Sequence, residues 1–582
     1  MIKTLECVGE FLALRRPDEA LARHQLEERA RGYRQRLNRE PLMVAKKILF
    51  RSQAREKVLS GATQLADAVR VTLGPRSKSV LIHRRWGTPI VCNDGVTIAR
   101  ETELEDPEED LGARMLRQAA ERTGEIVGDG TSTATVIAHA ILADGIRNVV
   151  AGASAIDLKR GLDRALALAV EALRAQSRPV ASRLEQTQVA TLSAHNDPAI
   201  GEQVAEAMDR IGADGVITVE SSRTTETTLE VVEGLQFDRG WLSPYFASQS
   251  ERMEAVLEDA FVLLADRKIA ALADLLPVLE QVAKTGRPIL FVAEDIEGEA
   301  LATLIVNQIR AVLKSCAVRA PGYGDRRREM LEDIAVLTGA QVVSEALGLD
   351  LAQLKLEQLG RARRVVVSRE HTTLIGGGGE RSGIDARIAQ LRKQSAEAAS
   401  DYDRQQLKER LGKLAGGVAV IRVGAASEAE MNARKDAFDD AIAATRAAVA
   451  EGIVAGGGLA LIRAAPAIER ALAQVEGDER TGMQILLRAL TAPARAIADN
   501  SAVDGGAVLA RLMETEGWIG FDAANKRYVD LFEAGIIDPT RVLRVAIENA
   551  VSVASLLLLT EATMTEIPDK TAAASGVEPP QV

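Results

Sequence analysis

Four interruptions constrain this chain more than any other feature: Pro179, Gly234, Gly417 and Gly452 fall at the edges of otherwise periodic segments. Proline removes a backbone donor and fixes φ, while glycine leaves the backbone free, so both end regular elements. The four joints pair in nested fashion, outer with outer and inner with inner. A chain divided this way leaves a base domain, crosses a linking domain, builds an outer domain and returns by the same route. At 582 residues it is also too long for one hydrophobic core. We expect a multidomain protein whose base and linking domains are each built from two distant segments.

The segments between the joints read as mainly helical, with one α/β region. Ala62, Leu65, Ala66, Val69 and Leu73 share a helix face until Gly74-Pro75 stops it. Short β-like runs follow at 80–83 and 88–94, then helices over 111–127, from Thr131 toward Gly145, and over 155–175. The middle alternates strand and helix: ILFVAED at 289–295, a helix over 297–313, SCAVRAP at 315–321, a helix over 326–338 and AQVVSEA at 340–346. A charged helical hairpin over 384–412, the strand VAVIRVG and an Ala-rich helix from Glu428 to Ala450 complete it.

Apolar residues at 47% and charged residues at 27% exclude a disordered, collagen-like or membrane-embedded chain. Aromatics are 3%, so the cores should be aliphatic. The apolar stretch Val551 to Leu559 falls short of the ~20 residues a membrane span needs. A net charge of −11 without clustered Lys and Arg argues against nucleic acid as the main partner. Cys7, Cys92 and Cys316 form neither a disulfide framework nor a metal-ligand spacing, which points to a reducing, cytoplasmic compartment. Residues 1–42 differ from the rest: nine basic side chains stand against seven acids around a short amphipathic pattern. The acids argue against a mitochondrial presequence. The segment reads as an extension or an upstream start, with a partner-binding helix as the alternative.

The run GDGTSTAT at 128–135 carries the strongest chemical signal. Its glycines let backbone N–H groups approach an anion, and the helix that follows adds partial positive charge. Hydroxyls can bond phosphate oxygens, and Asp129 suits a hard cation such as Mg²⁺. No Walker spacing occurs. Taken alone the run is equally well a capped helix after a tight turn. TLGP at 72–75, AGGG at 455–458 and NDG at 93–95 add further turns, and Asp94 by itself reads as a turn former. The five histidines are scattered, with no nucleophile–base pair to suggest a small-molecule enzyme.

In order along the chain, TLGP, NDGVTIARE, GDGTSTAT, DLKRG, VVEGLQFDRG, SPYF, EGEALATL, GDRR, SDYD, LAGGVAVI, ATRAAV and VAGGG closely resemble the group I chaperonins, the GroEL family, from Met43 to about Pro568. The resemblance implies a GroEL-like architecture with nested, discontinuous domains. An equatorial ATP-binding domain would occupy 43–178 and 452–568, an intermediate hinge domain 179–233 and 418–451, and an α/β apical domain 234–417. Residues 1–42 would be an N-terminal extension and 569–582 a flexible tail. The implied function is an ATP-dependent chaperone that encloses unfolded polypeptides. It would work as a homo-oligomer of two stacked heptameric rings, under a co-chaperonin lid of the ten-kilodalton family, without nucleic acid or membrane partners.

The same resemblance implies site residues. Thr72, Leu73, Gly74 and Pro75 would surround ATP, while Asp129, Gly130, Thr131, Ser132 and Thr133 would hold the phosphates. Asp129 would be the Mg²⁺ ligand, and K⁺ a further cofactor. Gly457 and Asp538 would meet the base and ribose side, with Asp522, Ala523 and Ala524 near the base. Asp94 and Asp440 would position and polarise the attacking water, Asp440 swinging in with the intermediate domain. Asp439 adjoins Asp440, but helix neighbours point about 100° apart, so only one faces the nucleotide. The blander reading of Asp440 is a solvated helix acid. Clients and lid would bind an exposed apolar groove of Trp241, Tyr245, Phe246, Leu276, Leu279, Leu301, Ile305 and Val306; the alternative is that these are core.

Several positions depart from the family pattern. Residues 1–42 have no counterpart, and the tail lacks Gly-Gly-Met repeats. RSKS at 76–79 replaces a typical KGRN, Asp522 stands where Asn is common, and Trp241 where Tyr is common. The rival reading is a protein that holds unfolded chains without a productive ATP cycle; Asp94, Asp129 and Asp440 weigh against it.

Overall fold

The computed structural model describes residues 46–566 apart from 84–88, 213–214, 223, 249–252, 345–349 and 399. The expectations for 1–42 and 569–582 lie outside the described residues. Among the described residues two compact units emerge: one draws on 46–61, 104–112 and 560–566, the other on Ala62–Glu103 and Ala113–Leu559. The expected 43–178 segment is therefore shared between them. Among the described residues no helix is long and apolar enough to cross a membrane.

In the smaller unit, Lys46–Phe50 pairs antiparallel with Ala562–Glu566. Glu108 is 3% exposed and accepts from Lys47 Nζ at 2.8 Å and Thr565 Oγ1 at 3.2 Å, so this buried carboxylate is paired. Lys57 donates to Asp106 at 2.6 Å and Glu109 at 2.9 Å, and the first of these bonds holds Asp106 below the usual carboxylate range.

Five helices of the larger unit matter to the site: Thr131–Val150 (α2), Arg183–Ser193 (α3) and Glu428–Glu451 (α4) contribute residues to it, while Pro107–Val127 (α1, which begins in the smaller unit) and Thr540–Leu558 (α5) pack against α4. α5 is buried nearly all round, and α2 and the helix Ala155–Gln176 both pack against it. α4 begins at Ser427, whose hydroxyl accepts from the Glu430 N–H, and ends at Gly452 with φ +81.

Two sheets carry the middle of the chain. Val418–Val423 is the central strand of three, parallel to Val216–Ser221 and antiparallel to Thr228–Val232. The larger sheet has seven strands, with Ala255–Ile269, Ile289–Ile296 and Ser315–Arg319 running parallel side by side. The helices Leu272–Thr285 and Gly298–Ile309 connect them, as parallel pairing requires. Its core is aliphatic, with Phe237, Phe246, Phe261 and Phe291 added, and takes residues only from Leu235 to Leu414.

Two elements are shorter than their sequence pattern suggests. The helix expected over 297–313 ends at Ile309, because Ala311 adopts φ +53 and the Val312 N–H turns back to the Asn307 carbonyl. The strand expected over 340–346 is reduced to Val342–Val343, pairing with Leu264 and Ala265.

Candidate active site

A cavity of about 600 Å³ gathers the polar turns into one place. Its lining takes Thr72, Leu73, Gly74 and Pro75 from one turn, Asp94 from a second, and Asp129, Gly130, Thr131, Ser132 and Thr133 from the start of α2. Asp440, Gly457, Asp522, Ala523, Ala524 and Asp538 complete the set anticipated from sequence. α3 also contributes Thr187, Gln188, Thr191 and Ser193, followed by His195 and Asn196. No reading of the sequence singled these out; they lie far along the chain from every glycine turn and form no motif.

The floor is the beginning of α2. Gly130 sits at its N-cap with φ +79 and has no side chain to cap it, so the first-turn N–H groups keep their capacity for an external acceptor. Ser132 Oγ lies 2.9 Å from Thr72 Oγ1, which ties the two turns together. Asp94 caps the helix Gly95–Glu101, accepting from the Val96 N–H at 3.2 Å and the Thr97 N–H at 2.9 Å. It is thus a turn former and a cavity carboxylate at once.

Five carboxylates line this cavity with few cations to balance them; the basic side chains of the lining are His195 and Arg527. Burial pushes the Asp129 carboxyl up, although Ser193 Oγ donates to it at 2.8 Å. Burial, then the charges of Asp129 and Asp94, raise Asp440 well above the usual carboxylate range. Asp538 is pushed up to about 7 by burial and by Asp129. Asp440 already stands inside the cavity in this conformation, while Asp439 points elsewhere. Asp439 lines a second cavity, of about 510 Å³, with Glu220, Glu258, Arg364 and Lys435.

Such a site repels a bare polyanion and accepts one whose charge is neutralised by a divalent cation. Among the described residues no group of three His, Cys, Asp or Glu side chains stands ready to hold a metal ion.

At the far end, Asp522 is 3% exposed and serves its own hairpin. It accepts from the Asn525 N–H at 3.1 Å, Asn525 Nδ2 at 2.8 Å and Arg527 Nε at 3.3 Å. Burial opposes the charge, but these bonds leave the carboxyl below its usual range. Arg76, in the divergent RSKS turn, donates to the Ala524 carbonyl at 2.8 and 3.3 Å and so bridges the two loops.

The expected apolar groove needs correction at two positions. Phe246 is completely buried, and Leu279 is 6% exposed. Phe246 ends a 3₁₀ turn held by Ser243, and Leu279 belongs to the inward stripe Leu275, Val278, Leu279, Val282. Both are core. Trp241, Leu301 and Ile305 are half-buried against that core, and the Trp241 indole N–H donates to the Met253 carbonyl at 3.0 Å. Tyr245, Leu276 and Val306 are exposed, and with them Ile309 and Val312, which the sequence reading missed. The elements bearing Tyr245 and Leu276 both pack against Gly298–Ile309.

The chain is 68% identical over 527 residues to chaperonin GroEL 5 of Bradyrhizobium diazoefficiens, covering 90% of this chain and 97% of that protein. The sequence profile of the TCP-1/cpn60 chaperonin family matches residues 65–568. The chain belongs to the TCP-1/cpn60 chaperonin family.

Proposed function

We propose that this protein is a group I chaperonin that assists the folding of other proteins, driven by ATP hydrolysis in the 600 Å³ cavity. The observation that carries the reading is the convergence of Asp94, Asp129 and Asp440 on an uncapped helix start. ATP would lie with its phosphates on the first-turn N–H groups of α2 and its base toward Ala523 and Ala524. Mg²⁺, held in part by Asp129, would neutralise phosphate charge when bound. Asp94 and Asp440 would orient the attacking water, and a carboxylate would accept its proton as the γ-phosphorus leaves the bridging oxygen of ADP.

The exposed apolar side chains at Tyr245, Leu276, Val306, Ile309 and Val312 support a surface for unfolded polypeptides and for a co-chaperonin lid. We further propose the equatorial, intermediate and apical division given above, with assembly into stacked heptameric rings. The self-contained core of Leu235 to Leu414 supports the apical boundary. A cytoplasmic setting is supported by Cys92 and Cys316, which are free thiols, Cys316 fully buried.

The test is steady-state ATP hydrolysis by the purified protein with Mg²⁺ and K⁺, beside Asp440→Ala. We expect turnover to fall by roughly 10²- to 10⁴-fold while nucleotide binding survives. No turnover by the unaltered, assembled protein would favour passive holding instead.

A further inference from the structure

The close approach of α4 to the phosphate loop occurs at Gly128 and Ala443. A β-carbon built on Gly128 would lie 2.3 Å from the Ala443 β-carbon. Gly128 ends α1 with φ +72 and immediately precedes Asp129. Ala443 follows Asp440 by three residues, so the two lie on one face of α4. One turn further, Ala447 packs with Val127, Val542 and Val545. The helix therefore rests on a floor made by the end of α1 and the start of α5, and that floor is notched where Ala443 meets it.

The size of the notch decides what it does. Non-bonded carbons rest about 3.5–4.0 Å apart, so a methyl group at 128 would push this part of α4 back by roughly 1–2 Å. Asp440, on the same face and one turn away, would withdraw from the cavity with it. We infer that Gly128 and Ala443 are positioning residues, a notch and its seat, whose contact sets how deeply Asp440 enters the nucleotide cavity. This rests on the reading that the cavity hydrolyses ATP. Neither residue brings a functional group to the reaction; their contribution is the absence of atoms at 128 and the presence of a single methyl at 443.

A misplacement of about 1 Å in a catalytic group costs on the order of 10²-fold in rate. The experiment compares the unaltered assembled protein with Gly128→Ala, Ala443→Leu and the double variant Gly128→Ala/Ala443→Gly. ATP affinity is read by calorimetry and hydrolysis by single-turnover kinetics, both with Mg²⁺. Each single variant should lose on the order of 10²-fold in hydrolysis rate while its Kd for ATP stays within about threefold. The double variant should regain about tenfold over Gly128→Ala, because the methyl removed from 443 makes room for the one added at 128. Ala443→Leu introduces no left-handed backbone, so it separates the contact from strain at Gly128. Ala450→Leu, on an exposed position of the same helix, should hydrolyse ATP at the unaltered rate. A structural role alone predicts parallel losses of binding and rate, with no recovery in the double variant. That pattern, or full rates in both single variants beside an active parent, overturns the inference alone. An inactive parent that still binds ATP overturns the hydrolysis reading and takes this inference with it.

Discussion

His139 shows how one side chain makes the stability of this protein depend on pH. Its Nε2 lies 3.0 Å from Thr63 Oγ1, and the Arg70 guanidinium lies 3.3 Å from Nδ1. An arginine can only donate, so the ring is held neutral with its proton on Nε2. Burial, with Arg70 adding to it, pushes the pKa down to about 4. The unfolded chain takes up this proton near pH 6.5 and the folded one resists until about 4. The contribution is therefore complete above pH 6.5, fades as pH falls, and is gone near 4, at most about 3 kcal/mol. Urea unfolding between pH 7 and 4.5 should show that decline, and His139→Gln should remove part of it. At this scale the sequence was legible where residue type and turn coincide. Asp129 in GDGTSTAT and Asp94 in NDG announce themselves by their glycines. The partners of Asp129 did not: Ser193 donates to it from 64 positions away and bears no local mark.

Elements were legible in type and less so in facing. Periodicity places Leu276 and Leu279 on a helix, yet Leu279 is core and Leu276 is 46% exposed, because spacing alone does not say which side the sheet lies on. The distinction has opposite energetic consequences. Leu276→Ser with Val306→Ser should change stability by no more than about 0.5 kcal/mol each, since neither side chain leaves a cavity behind. The same pair should weaken capture of a chemically unfolded protein several-fold, as read by suppression of its aggregation. Phe246→Ala should do the reverse at its own site: about 3–5 kcal/mol of stability lost in urea unfolding, from a fully buried ring. Equal effects of the two kinds of substitution on stability would remove the case for a separate apolar face on Gly298–Ile309 and its neighbours. The early end of that helix was also invisible in sequence, because Ala311 is a residue that seldom adopts positive φ.

At the scale of the whole molecule, the 600 Å³ cavity and the large sheet draw on different stretches of the chain. No described residue between 197 and 439 lines the 600 Å³ cavity, whereas the described seven-stranded sheet and its core lie wholly between those positions. Calorimetric unfolding should therefore show more than one transition. ATP at a hundred times its Kd should stabilise the cavity-forming part by about 2.7 kcal/mol and leave the sheet's transition in place. A common shift of every transition would mean a single cooperative unit. Two of the sequence joints coincide with element ends, Gly234 opening the strand Gly234–Phe237 and Gly452 closing α4. The parallel pairing of Val216–Ser221 with Val418–Val423 was not legible in the sequence, since strand partners so far apart leave no local trace. One further consequence follows from α4. Asp440 and Asp439 are consecutive, yet one lines the 600 Å³ cavity and the other the cavity beside Glu220 and Arg364. The helix is a partition shared by two rooms. A stiff partition cannot shift toward one room without giving space to the other, so any rigid displacement of this helix that narrowed one chamber would widen its neighbour.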